Sequence, residues 1–331
     1  MILLIDVPAQ YGGAMTILNH YYEIAKKSNQ KWVFVVSTPV FEKHDNIEVL
    51  NYPWIKNSWF HRLYFDFVKA PKLIKKIKPD EIISLQNVLV PRIKIKQTLY
   101  LHQPLPFSDI RFSFLKFPRL WIYQNVISSL ILKSIKRADK VIVQTSWMKD
   151  SVIAKTKQDY KDKIIIRQPH ISHQFKEISK HKKKFTNRFF YPASSETYKN
   201  HKTIIRSLEI LKMSQDIEKI KVVFTLVGNE NYEIKKLYKK VQNQDLPVDF
   251  IGSIPLNEVY EYYQTSVLLF PSYIETFGLP LLEAKLHQAP IIASNTPFSR
   301  EILKDYTNVR YFEPFDAQTL AHLMSVQVES S

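Results

Sequence analysis

Short apolar runs alternate along this chain with longer stretches in which apolar residues recur every three or four positions. In the first half the runs are Ile2–Asp6, Trp32–Val36, Ile47–Leu50, Glu81–Leu85, Thr98–Leu101, Lys140–Val143 and Ile164–Ile166. In the second half they are Phe189–Tyr191, Lys221–Val227, Val248–Ile251, Val267–Phe270 and Ile291–Ser294. Runs of this length and β-branched content read as buried strands, and the 3.6-residue period between them reads as helix. The clearest helical stretches are Thr16–Lys27, Pro118–Ile135, Lys199–Lys212 and Asn257–Gln264. Strands alternating with helices predict parallel sheets covered on both faces. The segment Gln168–Asn187 breaks the alternation, with Pro169, the basic cluster His181–Lys184 and little periodicity, and reads as a linker. The predicted organisation is an N-terminal domain over 1–170, a linker over 171–187 and a C-terminal domain over 188–331.

A length of 331 residues suffices for two cores. There is no cysteine, which excludes disulfides, zinc–thiolate sites and thiol catalysis. No apolar run reaches the length of a spanning helix, and the N-terminus lacks the basic lead and cleavage site of a signal peptide. The expected location is cytoplasmic. The net charge of +16 is unevenly spread: residues 1–170 carry 27 Lys and Arg against 13 Asp and Glu, the remainder 20 against 18. The basic excess of the first half points to an anionic partner. Two basic, aromatic segments, Trp59–Lys78 and Arg111–Trp121, suit either amphipathic core helices or docking on an anionic membrane surface, which would place the protein peripherally on the inner face of the plasma membrane. No nucleic-acid module accompanies the charge, so nucleic acid is not the expected partner.

The candidate chemistry concentrates in the stretch from Pro271 to Ala284. The run Val267–Phe270 leads into a loop carrying Glu275, and Gly278 and Pro280 open a helix that carries Glu283 one turn in. A helix start offers unpaired N–H groups and a positive dipole end, which suit a phosphate, and a carboxylate can accept hydrogen bonds from vicinal sugar hydroxyls. Gly12 and Gly13 follow the first strand by a short loop and can let backbone amides approach a phosphate, or simply make a tight turn. His102 closes the fifth strand. Lys199 stands at a predicted helix start, unfavourable to the dipole, so an anion there would explain it. The five glycines, at 12, 13, 228, 252 and 278, all lie at strand ends or beside these loops.

Glu275-Thr276-Phe277-Gly278-Leu279-Pro280-Leu281-Leu282-Glu283-Ala284, followed by Ile291–Ser294 and Arg300-Glu301-Ile302, closely resembles the donor-site signature of the family-four retaining glycosyltransferases, also described as glycosyl transferases group 1. The resemblance covers nearly the whole chain and is strongest from about Phe189 to Ile302. It implies the α/β GT-B fold: two doubly wound Rossmann-like domains facing a central cleft. It implies transfer of a sugar from a UDP- or GDP-sugar to a saccharide or lipid-linked acceptor, as in bacterial-type surface polysaccharide or glycolipid assembly. Glu283 would hold the ribose, while Glu275 and the backbone of Phe277, Gly278 and Leu279 would contact the donor sugar. Lys199 and the Gly12-Gly13 loop would face the diphosphate, His102 the reacting centre, and Gly228 and Gly252 the base. No metal or other cofactor is implied, and no metal-ligand spacing stands out. Many members carry an arginine five residues before the lysine; here that residue is Ser194. GT-B chains usually end in a helix that crosses back to the first domain, and here only one short helical stretch follows Asp316. A sugar-nucleotide epimerase of the same fold and a non-catalytic partner subunit remain alternative readings.

Overall fold

The computed structural model describes residues 1–10, 12–157, 160, 162–169, 187–214, 217 and 219–329. The chain divides into two compact units, Met1–Ser172 and His173–Ser331. Most of the predicted linker lies outside the described residues.

The first unit is built on seven parallel strands: β1 (Ile2–Asp6), β2 (Trp32–Val36), β3 (Ile47–Asn51), β4 (Glu81–Ser84), β5 (Lys96–Tyr100), β6 (Lys140–Val143) and β7 (Ile164–Ile166). They lie in the order β3-β2-β1-β4-β5-β6-β7. The central strands are apolar at every position or nearly so, because both sheet faces are covered, and β2 is buried throughout. Leu4, Phe34 and Val36 pack with one layer, against α1 (Gly12–Lys26), while Leu3, Ile5, Val33 and Val35 pack with the opposite one. This alternation is the two-residue period of a strand.

The helical layer around Trp59–Ile77 runs through α2 (Trp59–Tyr64), a π turn at Phe65–Lys69 and α3 (Ala70–Ile77). The stretch expected as one helix over Pro118–Ile135 is interrupted in the same way: α4 (Pro118–Ile122), a π turn at Tyr123–Ile127 and α5 (Ser128–Arg137). The backbone stays right-handed helical through both junctions of that stretch, so the segment is one rod with an extra residue in its middle. Gln124 explains the local geometry. Its buried amide accepts from Phe112 N at 3.0 Å and donates to Ile110 O at 2.7 Å, tying the preceding loop to the π turn. Helix α6 (Ser146–Thr156) completes the unit.

The second unit has six parallel strands, β8 (Arg188–Tyr191), β9 (Lys221–Phe224), β10 (Val248–Phe250), β11 (Val267–Phe270), β12 (Ile291–Ser294) and β13 (Val309–Phe312), in the order β10-β9-β8-β11-β12-β13. Helices α7 (His201–Met213), α8 (Tyr232–Asn243), α9 (Leu256–Thr265), α10 (Leu279–Leu286), α11 (Pro297–Ile302) and α12 (Ala317–Glu329) cover it. The short stretch expected after Asp316 is the thirteen-residue α12, which packs on α7 within this unit.

In both sheets the order reverses around the first strand. In the first unit β1 has β2 on one side and β4 on the other, and in the second β8 has β9 and β11. The loops leaving the carboxyl ends of such a strand pair diverge to opposite faces, so a crevice opens between them. That is where each unit carries its unusual polar residues.

Candidate functional site

In the second unit, Lys199 lies in the loop after β8 and Glu275 in the loop after β11, the two strands that flank the reversal. They are 76 positions apart in sequence, and Lys199 Nζ donates to Glu275 Oε1. Lys199 does not open a helix, contrary to the sequence reading. It ends a single 3₁₀ turn, Thr197–Lys199; Asn200 then takes a left-handed conformation and α7 begins at His201. Asn200 explains the break. Its amide donates to the carbonyls of Pro271 at 3.1 Å and Pro314 at 2.5 Å, locking the lysine loop to the glutamate loop. Tyr191 donates from its hydroxyl to Lys199 O at 2.7 Å and Tyr273 N to Tyr198 O at 3.1 Å, fixing both loops further.

Glu275 Oε1 also accepts from the Ser272 hydroxyl at 2.7 Å. The carboxylate therefore has a fixed orientation and retains acceptor capacity on Oε2, while the Lys199 ammonium keeps two further N–H groups for an anion. Both side chains are mostly covered, at 19% and 14% exposure. Gly278 (φ 91°) turns the chain into α10, and a Cβ at that position would meet Leu281 Cδ1 at 3.2 Å. Phe277 is buried and Leu279 is the first residue of the helix; Pro280 has no N–H and Leu281 N donates to Gly278 O at 2.9 Å, so the Leu279 amide is left without an intrahelical acceptor.

Glu283 sits in the fifth position of α10. Its Oε2 accepts from the hydroxyl of the buried Tyr263 at 3.0 Å. Burial pushes its carboxyl up to about 7, and the Tyr263 hydrogen bond only partly opposes that. Gly228 (φ 97°) is pressed against the Tyr238 ring, where a Cβ would come within 2.4 Å of Cδ2. The Glu230 carboxylate accepts from the amides of Val227 and Gly228, so this turn already holds an anion of its own. Gly252 (φ 75°) donates to Leu226 O at 2.9 Å, beside the same turn. Ser194 is exposed.

Gly12, Gly13 and His102 belong to the first unit. Helix α1 begins at Gly12 itself, four residues earlier than the periodicity suggests, so the glycine pair forms the helix's first turn and not a loop before it. Strand β5 ends at Tyr100, and His102 follows two residues later. The His102 amide donates to Asn87 Oδ1 at 2.8 Å. Burial holds its ring down at about 4, which keeps it neutral at ordinary pH. His102 lines a cavity of about 560 Å³ with Gln86, Asn87, Asp66, Arg62 and Lys56.

The sequence reading missed three residues around this cavity. Asp6, the last residue of β1, is fully buried and burial pushes it up to about 7. Asp66 is paired with Arg62 at 2.7 Å and accepts from Gln86 Nε2 at 3.2 Å. A visible sequence signal existed for Asp6 alone: an acid closing an otherwise apolar strand run. Asp66 and Gln86 carry no spacing pattern of their own.

Comparison with known proteins bears on the fold and the class of enzyme. Residues 173–329 match the family model described as Glycosyl transferases group 1. The chain is 24% identical to the O-antigen chain mannosyltransferase RfbU of Salmonella typhimurium over 258 residues, which is 77% of this chain and 67% of that protein. Matches to two other curated relatives span 37% and 25% of their lengths. Among solved structures, a sucrose-phosphate synthase from Thermosynechococcus elongatus superposes with a TM-score of 0.76 at 17% identity, covering 98% of this chain and 88% of that one. HepE of Anabaena, in complex with UDP-glucose, gives 0.70 at 16%, covering 99% and 90%.

Two parallel Rossmann-like units and these neighbours define the fold as GT-B, and the chain is a glycosyltransferase. The group 1 match falls on the second unit, and the solved structures bear on the fold alone. Among the described residues no helix is long and apolar enough to cross a membrane.

Proposed function

We propose that the protein is a retaining glycosyltransferase that moves a sugar from a UDP- or GDP-sugar to a saccharide or lipid-linked acceptor, without a bound metal, in surface polysaccharide assembly. The observation that carries this reading is the Lys199–Glu275 pair at the reversal of the second sheet, which shares its loop with the start of α10. In the reaction the bond between the anomeric carbon and the diphosphate oxygen breaks, and a bond from that carbon to an acceptor hydroxyl oxygen forms on the same face. The acceptor proton passes to a leaving phosphate oxygen, and nucleoside diphosphate departs. Lys199 and the Leu279 amide at the start of α10 stabilise the charge that develops on the diphosphate. Glu275 orients the donor sugar, and Glu283 accepts from the ribose hydroxyls.

Gly12, Gly13 and His102 keep the roles that the resemblance gives them, as part of the proposal, and Gly228 and Gly252 flank the base. The relatives named as mannosyltransferases make mannosyl donors the first to try. The test is a thermal-shift panel of UDP-, GDP- and dTDP-sugars on the wild type, Glu283→Ala and Lys199→Ala, followed by product analysis with the donor that binds. One donor should stabilise the wild type, and both variants should lose most transfer while staying folded. Wild-type turnover in both would overturn the assignment, as would conversion of the donor without any acceptor.

The same proposal puts the first unit against an anionic membrane. Trp59, Phe60, Tyr64, Phe67, Phe114 and Leu115 are large apolar side chains with more than half their surface exposed. Arg92, Lys94, Lys133 and Arg137 ring a second cavity of about 630 Å³ nearby in the same unit. Exposed aromatics with cations fit a headgroup interface. Sedimentation with phosphatidylglycerol vesicles, but not with phosphatidylcholine vesicles, is the expected result; equal sedimentation with both, or with neither, removes this part of the proposal.

A further inference from the structure

A lysine has a long, flexible stem, so its ammonium is placed only as well as its backbone is held. Lys199 ends a single 3₁₀ turn, outside any strand or α-helix. The residue that follows it, Asn200, adopts φ 62° and ψ 34°. Asparagine tolerates this left-handed region, but glycine would adopt it with less strain. The conformation alone therefore does not call for an amide side chain.

The amide makes a joint. Asn200 is buried, and both N–H groups of its Nδ2 are used, one on Pro271 O and one on Pro314 O. Its Oδ1 accepts from the Thr203 hydroxyl at 2.8 Å, which fixes which end of the amide faces the two carbonyls. Both acceptors belong to prolines, whose φ is locked, so they are rigid anchors. Pro271 follows β11 directly and opens the loop that reaches Glu275, while Pro314 lies between β13 and α12. Asn200 thus pins the loops after β8, β11 and β13 at one point. Two further ties surround it. The Ser272 hydroxyl donates to Tyr198 O at 3.2 Å as well as to Glu275, and the Tyr273 and Phe315 rings meet at 4.9 Å.

We propose that Asn200 is a positioning residue for the diphosphate, acting through Lys199 by holding the lysine backbone against the loop of Glu275. The inference rests on the donor reading above and extends it to a residue outside the ion pair. A joint that served stability alone would, when cut, weaken every part of a bound nucleotide alike. A joint that aims Lys199 affects the phosphate that the lysine faces and spares the rest of the nucleotide.

The test measures UDP, UMP, GDP and GMP binding to the full chain by calorimetric titration, using the base that binds. The wild type should hold the diphosphate at least about tenfold tighter than the monophosphate, the size of one charged hydrogen bond. Lys199→Ala should lose most of that preference. Asn200→Gly keeps the left-handed backbone and removes the amide; it should bind the diphosphate about tenfold more weakly and the monophosphate as before. In the Lys199→Ala background, Asn200→Gly should cost the diphosphate nothing further. Thr203→Val frees the amide to turn over and should lose part of the preference. Should Asn200→Gly fail to fold, Thr203→Val decides alone, and an unchanged preference overturns the proposal. Asn200→Gly that weakens mono- and diphosphate alike, or whose loss adds to that of Lys199→Ala, overturns it in favour of a purely structural joint. A wild type that binds none of the four nucleotides, or a Lys199→Ala that keeps the full preference, sinks the donor reading and the proposal with it.

Discussion

Replacing Glu283 with glutamine should make the protein more stable, and only above acidic pH. Burial raises this carboxyl from 4.5 to about 7, with Tyr263 on α9 opposing through its hydrogen bond at 3.0 Å. Below the unfolded value the group is protonated in both states, and burial costs it no charge. As the pH climbs toward 7, the unfolded chain ionises freely while the folded protein must either hold the proton or bury the charge. Stability contributed by the neutral carboxyl is therefore lost between about 4.5 and 7 and stays lost above. The gap from 4.5 to 7, at about 1.4 kcal/mol per pH unit, sets an upper limit of about 3 kcal/mol at pH 8. Glutamine keeps an oxygen for Tyr263 and carries no charge, so Glu283→Gln recovers most of that. The five tryptophans, at 32, 54, 59, 121 and 147, all lie in the first unit, so their fluorescence follows that unit alone while far-UV circular dichroism follows both. Urea unfolding of wild type and variant at pH 4.5 and pH 8 should show the gain at pH 8, in the dichroism transition and not in the fluorescence one. A variant no more stable than the wild type at pH 8, or a gain equal at both pH values, refutes the reasoning.

Asp6→Asn should reproduce this pattern in the first unit, because burial also holds Asp6 up at about 7: the fluorescence transition should move to higher urea at pH 8 and stay put at pH 4. Lys199→Ala and Glu275→Ala should each cost about 3 kcal/mol, since either leaves a largely covered charge unpaired, and the double variant should lose less than the sum. Strict additivity by urea unfolding would deny the coupling. Gly228→Ala should cost about 2 kcal/mol, because the new Cβ meets the Tyr238 ring at a backbone angle that alanine disfavours, and Tyr238→Ala in the same chain should return part of it. An unchanged melting temperature in Gly228→Ala would show that the turn relaxes freely.

Most of the strand framework could be read from the chain, because a doubly covered sheet writes itself as unbroken apolar runs such as Trp32–Val36. Strand β13 could not: Val309, Arg310 and Tyr311 are half-buried at the sheet edge, and Arg310 and Tyr311 look like a polar loop. The π turn at Tyr123–Ile127 was hidden for a different reason. One inserted residue hardly disturbs the apolar period, yet it changes which face of α5 reaches the cavity. Glu275 and Glu283 stood out because their spacing fits one loop and one helix turn, which are local features. Their partners did not. Lys199 and Glu275 meet only because β8 and β11 are neighbours in the sheet, and no local pattern encodes strand order.

Strand order also explains why Gln86 carried no signal and Asp6 only a local one. Each is a single polar residue at a strand end, unremarkable until β1 and β4 are seen to flank the reversal of the first sheet. There they become costly: Asp6 buried with an unsatisfied oxygen, Gln86 buried with another. Glu283 in the second unit imposes the same kind of cost. A fold under selection for stability alone would lose these groups to apolar or amide substitutions, since each weakens the folded state near neutral pH or leaves an atom unpaired. Ser37, just past the end of β2, also has a buried hydroxyl without a partner among the described residues, but the acidic groups that burial holds neutral, Asp6 and Glu283, both follow from strands at the two sheet reversals, where the proposed function puts its ligands. Donor hydroxyls and acceptor hydroxyls are the groups that would satisfy them. Ligand-dependent stabilisation should therefore be larger in the wild type than in Glu283→Gln or Asp6→Asn, even though the free variants begin from the more stable state.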